Sequence, residues 1–299
     1  MATVEQLADA NMAQIRRLTD FTLAAVREAW WAMEDWHSPD KFLETILPLI
    51  EGAQLQTASL TDAYLAALLS EAMGTPVAPL GLAPEQVTNL RAHTTMSDAY
   101  ARPLQTVWYQ QSLGREFPDA LRLGLERAEH MLSLDIQLAR THAAAVILQQ
   151  ADGIQRYQRV LSGTENCDIC SIAAKHIYKT SSLMPIHTKC DCTVAPVIEG
   201  RPPLANRINQ ERDFTAPDTE TVGADRKSPS KLEHEIGVEA HGELGPVLVR
   251  KQKTYQSFSP GSDGQWNFEG HVTESQAQVE MLGSSKAPGL INKASQTVL

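Results

Sequence analysis

The sequence is poor in aromatic residues, in cysteine and in positive charge. Aromatic side chains make up 6% of the 299 residues, and cysteine occurs four times. The 26 Lys and Arg residues are outnumbered by 36 Asp and Glu, which gives a formal net charge of −10. Such an acidic chain does not suit non-specific DNA binding, because affinity for the phosphate backbone depends on basic side chains.

Long apolar stretches are missing as well. No hydrophobic run approaches the ~18 residues that a membrane-spanning helix requires. The first residues, MATVEQLADANMAQ, contain neither the basic nor the apolar region of a secretory signal. We therefore expect no membrane contact and a protein made and kept in a reducing cytosol.

Residues 1–152 are predicted to form a helical domain. Apolar side chains return at the spacing of a helix from Val4 to Met33. Ser38 and Pro39 are expected as the N-cap and first residue of a second helix, which Gly74 ends. Two more helices are predicted, over 84–113 with a bend near Pro103 and over 118–148.

The remaining chain divides into a small module and a tail. Residues 153–200 contain two expected strands, 154–161 and 193–198, on either side of the cysteines. Residues 201–210 are interpreted as a linker, and 201–299 as an extended or partly disordered tail with a hairpin over 247–272. The predicted fold class is therefore α+β, with a mainly helical N-terminal region and a small β-containing module.

All four cysteines lie within the module, and their spacing indicates a metal site. Cys167 and Cys170 form a C-x2-C pair, followed after sixteen residues by His187, Cys190 and Cys192. A closed tetrahedral Zn²⁺ site takes four sulfur or nitrogen ligands, with a structural role. The first two cysteines are expected ligands, and any two of the other three groups can complete the shell. The fifth group is then available as a hydrogen-bonding partner of a ligand.

A metal would also meet a physical need of this module. Its ~40 residues contain few large apolar side chains, and units of this size usually require a metal or a disulfide. Disulfides are rare in the reducing cytosol, which favours zinc. The alternatives are a catalytic zinc, a redox-active C-x-x-C pair and cysteines without a metal. No recognised general-base pattern or βαβ setting supports the first two.

The order of these parts resembles the phage head-morphogenesis family, the Mu F-like minor head proteins. The resemblance rests on RVLSGTENCDICSIAAKHIY (159–178) and MPIHTKCDCTVAPVI (184–198). Thr188 stands where the family often has Pro, and Asp191 where it often has Arg. Residues 238–248, VEAHGELGPVL, are similar to a stretch in proteins of this kind from actinobacterial phages.

The resemblance implies a minor capsid protein without catalytic residues, which sits in the virion inside the head near the portal. Its expected partners are the portal protein, the major capsid or scaffold proteins, and packaged DNA. One alternative is a relative of capsid maturation proteases, since a similar module is fused to such a protease in some phages. Another is a nucleic-acid-binding zinc knuckle, in which Lys175, Lys179 and Lys189 with Tyr178 would form a basic and aromatic face.

Overall fold

The computed structural model describes most of the first 209 residues and several strands of the tail. The described residues are 3–36, 38–161, 166, 168–187, 192–201, 203–206, 209, 236–250, 254–260, 266–273 and 291–295. The chain divides into two compact units, the first comprising Met1–Glu220 with Ala240–Val247 and the second Thr221–Glu239 with Leu248–Leu299. The fold class is α+β, as predicted.

The first unit begins with long helices. They are α1 (Val4–Trp31), α2 (Asp40–Met73), α3 (Met96–Ser112) and α4 (Phe117–Gln150). Thr3 caps α1, because its hydroxyl accepts from the Gln6 amide while the Gln6 side chain accepts from the Thr3 amide. Gly74 ends α2 in the left-handed conformation, at a φ of 72°. The helical predictions for 4–33, 38–74 and 118–148 are thus confirmed in all but their end residues.

Two predicted helix starts are wrong. The expected helix over 84–113 begins only at Met96, where the Thr95 hydroxyl accepts from the Asp98 amide. Pro84 starts only a single 3-10 turn. His93 adopts the left-handed conformation, at a φ of 60°, so no continuous helix runs from Pro84 to α3. Ser38 is not the N-cap of α2, because that position is taken by Pro39.

The helices enclose an apolar core around Trp30, which is fully buried. The Trp30 ring meets those of Trp36 and Phe42 edge to face, with centroids 5.1 and 5.4 Å apart. Leu104 in α3 and Leu132 in α4 belong to the same cluster. Among the described residues, this cluster contains none from the cysteine module.

The module is built on a small antiparallel sheet. Its strands are β1 (Ile154–Val160), β2 (Ile177–Lys179) and β3 (Thr193–Ile198), in the spatial order β2-β1-β3. The predicted strands over 154–161 and 193–198 are confirmed, and they pair directly. A short helix, α5 (Asp168–Ala173), and the strand β2 were not predicted.

A second apolar cluster joins this sheet to the helices. It contains Leu65 and Leu68 from α2, Leu148 from α4, Tyr157 from β1 and Val194 from β3. The Tyr64 hydroxyl also donates to the Val194 carbonyl, over 2.9 Å. The helical region and the module therefore share one continuous core.

Further strands follow in the C-terminal part. They are β4 (Ile236–His241), β5 (Gly245–Arg250), β6 (Thr254–Pro260), β7 (Trp266–Thr273) and β8 (Ile291–Ser295). β4 pairs with β5, while β6 pairs antiparallel with both β7 and β8. The β6–β7 pair lies within the expected hairpin 247–272 in all but its last residue. The expectation of disorder falls largely on 217–235 and 274–290, which lie outside the described residues.

Within the described ranges, no helix combines the length and the apolar content that crossing a bilayer would demand.

Candidate functional site

In the cysteine module, Cys170 is associated with two other predicted metal ligands, His187 and Cys192. Cys170 lies in α5, Cys192 directly precedes β3, and both are almost fully buried in one small cluster with Leu161 and Ala174. The Cys170 sulfur lies 2.9 Å from Nε2 of His187. Cys167 and Cys190 lie outside the described residues, so the predicted five-residue set is seen only in part.

The Cys170 sulfur and the His187 nitrogen are suitable zinc donors, but the distance between them would have to increase slightly. A sulfur and a nitrogen on one tetrahedral Zn²⁺ lie roughly 3.5 Å apart, given bonds of about 2.3 and 2.0 Å. The Cys170–His187 contact is shorter than this, so the two groups would separate by roughly 0.6 Å on binding. Among the residues that the structure describes, no group of three or more potential ligands is close enough to form a complete metal site.

The same module contains a buried arginine, Arg159. Arg159 in β1 is fully buried, and its guanidinium donates to the Pro185 carbonyl, which fixes the segment leading to His187. A buried cation is stable only beside groups that compensate its charge. Thiolate ligands of a Zn²⁺ ion in this module would supply negative charge that compensates the buried Arg159.

Tyr178 lies between the arginine and the cysteines. Burial raises the pKa of the Tyr178 hydroxyl, the charge of Arg159 acts against this, and Cys170 and Cys192 add to the increase. The hydroxyl donates to the Ala173 carbonyl over 3.1 Å. The ring is half-buried and packs against the apolar core that the module shares with the helices.

Two residues of the expected linker 201–210 pack against the module. Asn209 is buried, where its side chain donates to the Arg159 and Ala174 carbonyls and accepts from the Leu161 amide. Ala205 belongs to the apolar core shared with the helices. The interpretation of 201–210 as a linker is thus wrong for these residues. A single polar residue such as Asn209 carries no sequence signal that would have revealed this role.

The lysines of the basic face proposed from the sequence are only partly described. Lys175 and Lys179 are exposed, and Lys189 lies outside the described residues. Tyr178, which lies between these two lysines in the sequence, is half-buried.

Comparisons of the chain with protein-family models, with curated proteins and with solved structures found no match.

Proposed function

We propose that this protein is a minor capsid protein of a tailed phage, acting in head morphogenesis from inside the head near the portal. The observation that carries the proposal is the C-x2-C and H-x2-C-x-C module, in which Cys170 contacts His187 and shares a buried cluster with Cys192 beside a short antiparallel sheet. In this proposal the portal and the major capsid or scaffold proteins are its partners, it contacts packaged DNA, and it carries out no catalysis.

The zinc is structural in this proposal. Cys167 and Cys170 would hold it together with two of His187, Cys190 and Cys192. Held by these ligands, the ion would crosslink α5, the segment before β3 and the strand pair β1–β3. Arg159 compensates the negative charge of the thiolates from its buried position.

The helical region offers a surface for a protein partner. Exposed apolar side chains lie close together in sequence at the end of α3 and the start of α4: Trp108, Tyr109, Leu113 and Phe117, with exposures from 38% to 60%. Exposed aromatic clusters of this kind are typical of protein interfaces. This surface supports docking on a portal or capsid ring.

The location of the protein in particles tests the function directly. Proheads and virions of the phage that encodes it would be purified, and the protein quantified against the portal by mass spectrometry. We expect a few copies per head, far fewer than the major capsid protein. Absence from both particles would overturn the proposal. Crosslinking within the particles then identifies the partner, with the portal expected first.

The zinc is tested separately, by elemental analysis and native mass spectrometry of the full chain. We expect about one Zn²⁺ per chain. Cys170→Ser should remove it and destabilise the module by several kcal/mol, since metal-binding free energy contributes to folding. His176→Ala is the matched control, because this exposed histidine of the same module is not a predicted ligand. Metal-free protein from a zinc-supplemented preparation would exclude the zinc site.

A further inference from the structure

A small polar cavity lies in the cysteine module, between β1, α5 and the residues that follow β3. Its volume is about 270 Å³, and it is lined by Gln158, Ser171 and Asn209. These three residues are 3%, 3% and 9% exposed. Lys175 and Asn206 also line the cavity, and both are exposed. The cavity therefore has a buried polar floor and an opening to solvent.

Gln158 presents an unused hydrogen-bond acceptor. Its amide nitrogen donates to the Ala174 carbonyl over 2.7 Å and to the side-chain oxygen of Asn206 over 2.9 Å. Because a carbonyl can only accept, these two bonds fix which side of the amide carries the nitrogen. The other atom, Oε1, is buried and has no hydrogen-bond partner among the described residues. Buried polar atoms in proteins nearly always have a partner, so this oxygen requires a donor.

Ser171 presents a second unused polar group. Its hydroxyl is buried and forms no hydrogen bond within the described part of the chain. Asn209 differs, because its side chain donates to two carbonyls of the module and accepts from the Leu161 amide. Gln158 and Ser171 are therefore the buried lining residues whose side chains have an atom available to a ligand.

The lining restricts the chemistry of such a ligand. Gln158 Oε1 only accepts, so the ligand must supply an N–H or O–H donor, which a carboxylate does not have. The described lining residues include no Asp or Glu, so a buried cation would lack a counter-charge. They include no aromatic side chain either, so a nucleobase would find no ring on which to stack. The lining therefore favours a neutral, polar ligand.

A carboxamide matches this lining better than a hydroxyl-rich molecule does. An amide group carries its donor and its acceptor on different atoms, so it can bond Gln158 and Ser171 at the same time. Leu161 and Ala174 also line the cavity, and they suit the methylene groups next to a carboxamide. The volume is just below the ~300 Å³ at which pockets for drug-sized ligands begin. The cavity therefore suits a small ligand or a single side chain.

We propose that this cavity binds a neutral carboxamide, supplied by a free small molecule or by an Asn or Gln side chain of a partner protein. The N–H of the ligand donates to Gln158 Oε1, and its carbonyl accepts from the Ser171 hydroxyl. None of the described lining residues is a predicted metal ligand. The carboxamide site and the proposed zinc site can therefore be tested independently.

Nuclear magnetic resonance of the full chain tests the site, with propionamide as the probe. Saturable shifts are followed at the side-chain amide of Gln158 and the backbone amide of Ser171. N,N-Dimethylpropionamide is the matched control, because it keeps the carbonyl but has no N–H for Gln158. Propionate tests the exclusion of anions, and 1,2-propanediol represents hydroxyl-rich ligands. We expect the dissociation constant of propionamide to be roughly tenfold lower than those of the other three, which corresponds to about one hydrogen bond.

A substitution of Ser171 tests the second contact. Ser171→Ala removes one of the two hydrogen bonds and should weaken propionamide binding by roughly 2- to 12-fold. Ser181→Ala should leave binding unchanged, because this exposed serine of the same module does not line the cavity. If Ser171→Ala does not fold, the four ligands on the unsubstituted chain decide. Equal binding of propionamide and any of the other three, or by folded Ser171→Ala and the unsubstituted chain, would overturn the proposal.

Two further ligands identify the source of the carboxamide. Glutamine represents a free small molecule, and N-acetylglutamine N-methylamide represents a Gln side chain within a protein. Tighter binding of glutamine supports the site with a small-molecule ligand, and equal or tighter binding of the blocked form supports it with a partner protein. If propionamide and both of these ligands leave the Gln158 and Ser171 signals unshifted, the cavity does not bind carboxamides and the proposal is wrong.

Discussion

The ion pair between Arg91 and Asp135 is deeply buried, since the two side chains are 6% and 1% exposed. Asp135→Ala leaves the buried Arg91 guanidinium with only its longer contact to Glu243, over 3.4 Å, to compensate its charge. The loss of one partner of a buried pair typically costs about 3–5 kcal/mol. We expect a decrease of this size in the free energy of unfolding, measured by urea denaturation of the full chain with circular dichroism.

Arg122 and Glu126 provide the matched control for this experiment. Their pair links neighbouring turns of α4, and both side chains are about half exposed. Arg122→Gln should change the stability by less than about 0.5 kcal/mol. Equal effects of the two substitutions would contradict a special contribution from the buried pair.

The carboxylate of Glu243 should make the stability sensitive to acid. The hydrogen bonds from Arg102, supported by Thr94 and by the charge of Arg91, lower its pKa from 4.5 to about 2, against the opposing effect of burial. A depressed carboxylate pKa stabilises the folded state above the unfolded value. This contribution is fully present above pH 4.5 and is lost as the pH falls towards about 2.

Glu243→Gln removes the titrating group and reveals the effect by difference. The free energy of unfolding of the unsubstituted chain should exceed that of the variant at neutral pH. The difference should shrink between pH 4.5 and about 2, as measured by urea denaturation at a series of pH values. A difference that is constant over this range would show that Glu243 does not titrate with a depressed pKa.

Individual residues were predictable from the sequence only where a local pattern marks them. The spacing of Cys170, His187 and Cys192 predicted a shared metal site. Cys170 contacts His187 and shares a buried cluster with Cys192, but among the described residues no three ligands form a metal-binding group. Asp135 and Glu243 could not be found in this way. Their partners are distant in the sequence, and a charged residue on a helix or turn usually faces solvent.

At the scale of elements, Gly124 marks a close approach of α4 to its neighbouring helices. A Cβ at this position of α4 would lie 2.7 Å from a methyl group of Val107, 2.8 Å from the Trp30 ring and 2.9 Å from the Pro103 carbonyl. Gly124→Ala should therefore destabilise the protein by about 1–2 kcal/mol, even though alanine favours helices. Thermal and urea denaturation of the full chain measure the change.

Gly52 is the matched control on α2. It is exposed, and a Cβ added at this position would meet no atom within 4 Å. Gly52→Ala should stabilise the chain by about 0.5–1 kcal/mol, because only the helix propensity changes. Opposite signs for the two glycines would establish that packing, rather than propensity, determines the result at Gly124.

The elements that periodicity predicted well are the long ones. A repeat over many turns defines α1, α2 and α4, whereas the short α5 and β2 contain too few residues to show any period. The predicted start at Pro84 failed because proline suits the first residue of a 3-10 turn as well as that of a helix. The Thr95 cap, which does start α3, was overlooked.

At the scale of the whole molecule, the first unit depends on the cysteine module for much of its core. Side chains of α2 and α4 pack against β1 and β3 in one apolar cluster. The Asn11 side chain in α1 also contacts the Thr193 hydroxyl, over 3.5 Å. The sequence suggested a domain boundary at residue 152, because the helical spacing of apolar residues ends there. It contained no sign of this shared core, because many of the contacts join residues that are distant in the chain.

Truncation of the chain tests this dependence. A chain that ends at residue 152 loses the sheet and exposes Leu65, Leu68 and Leu148, each worth about 1.5–3 kcal/mol of burial. We expect it to melt broadly and to bind a hydrophobic dye, as a loosely packed helical protein does. A chain that ends at residue 250 keeps all of the first unit and should melt cooperatively. If both melt with equal sharpness at the same temperature, the helices do not need the module.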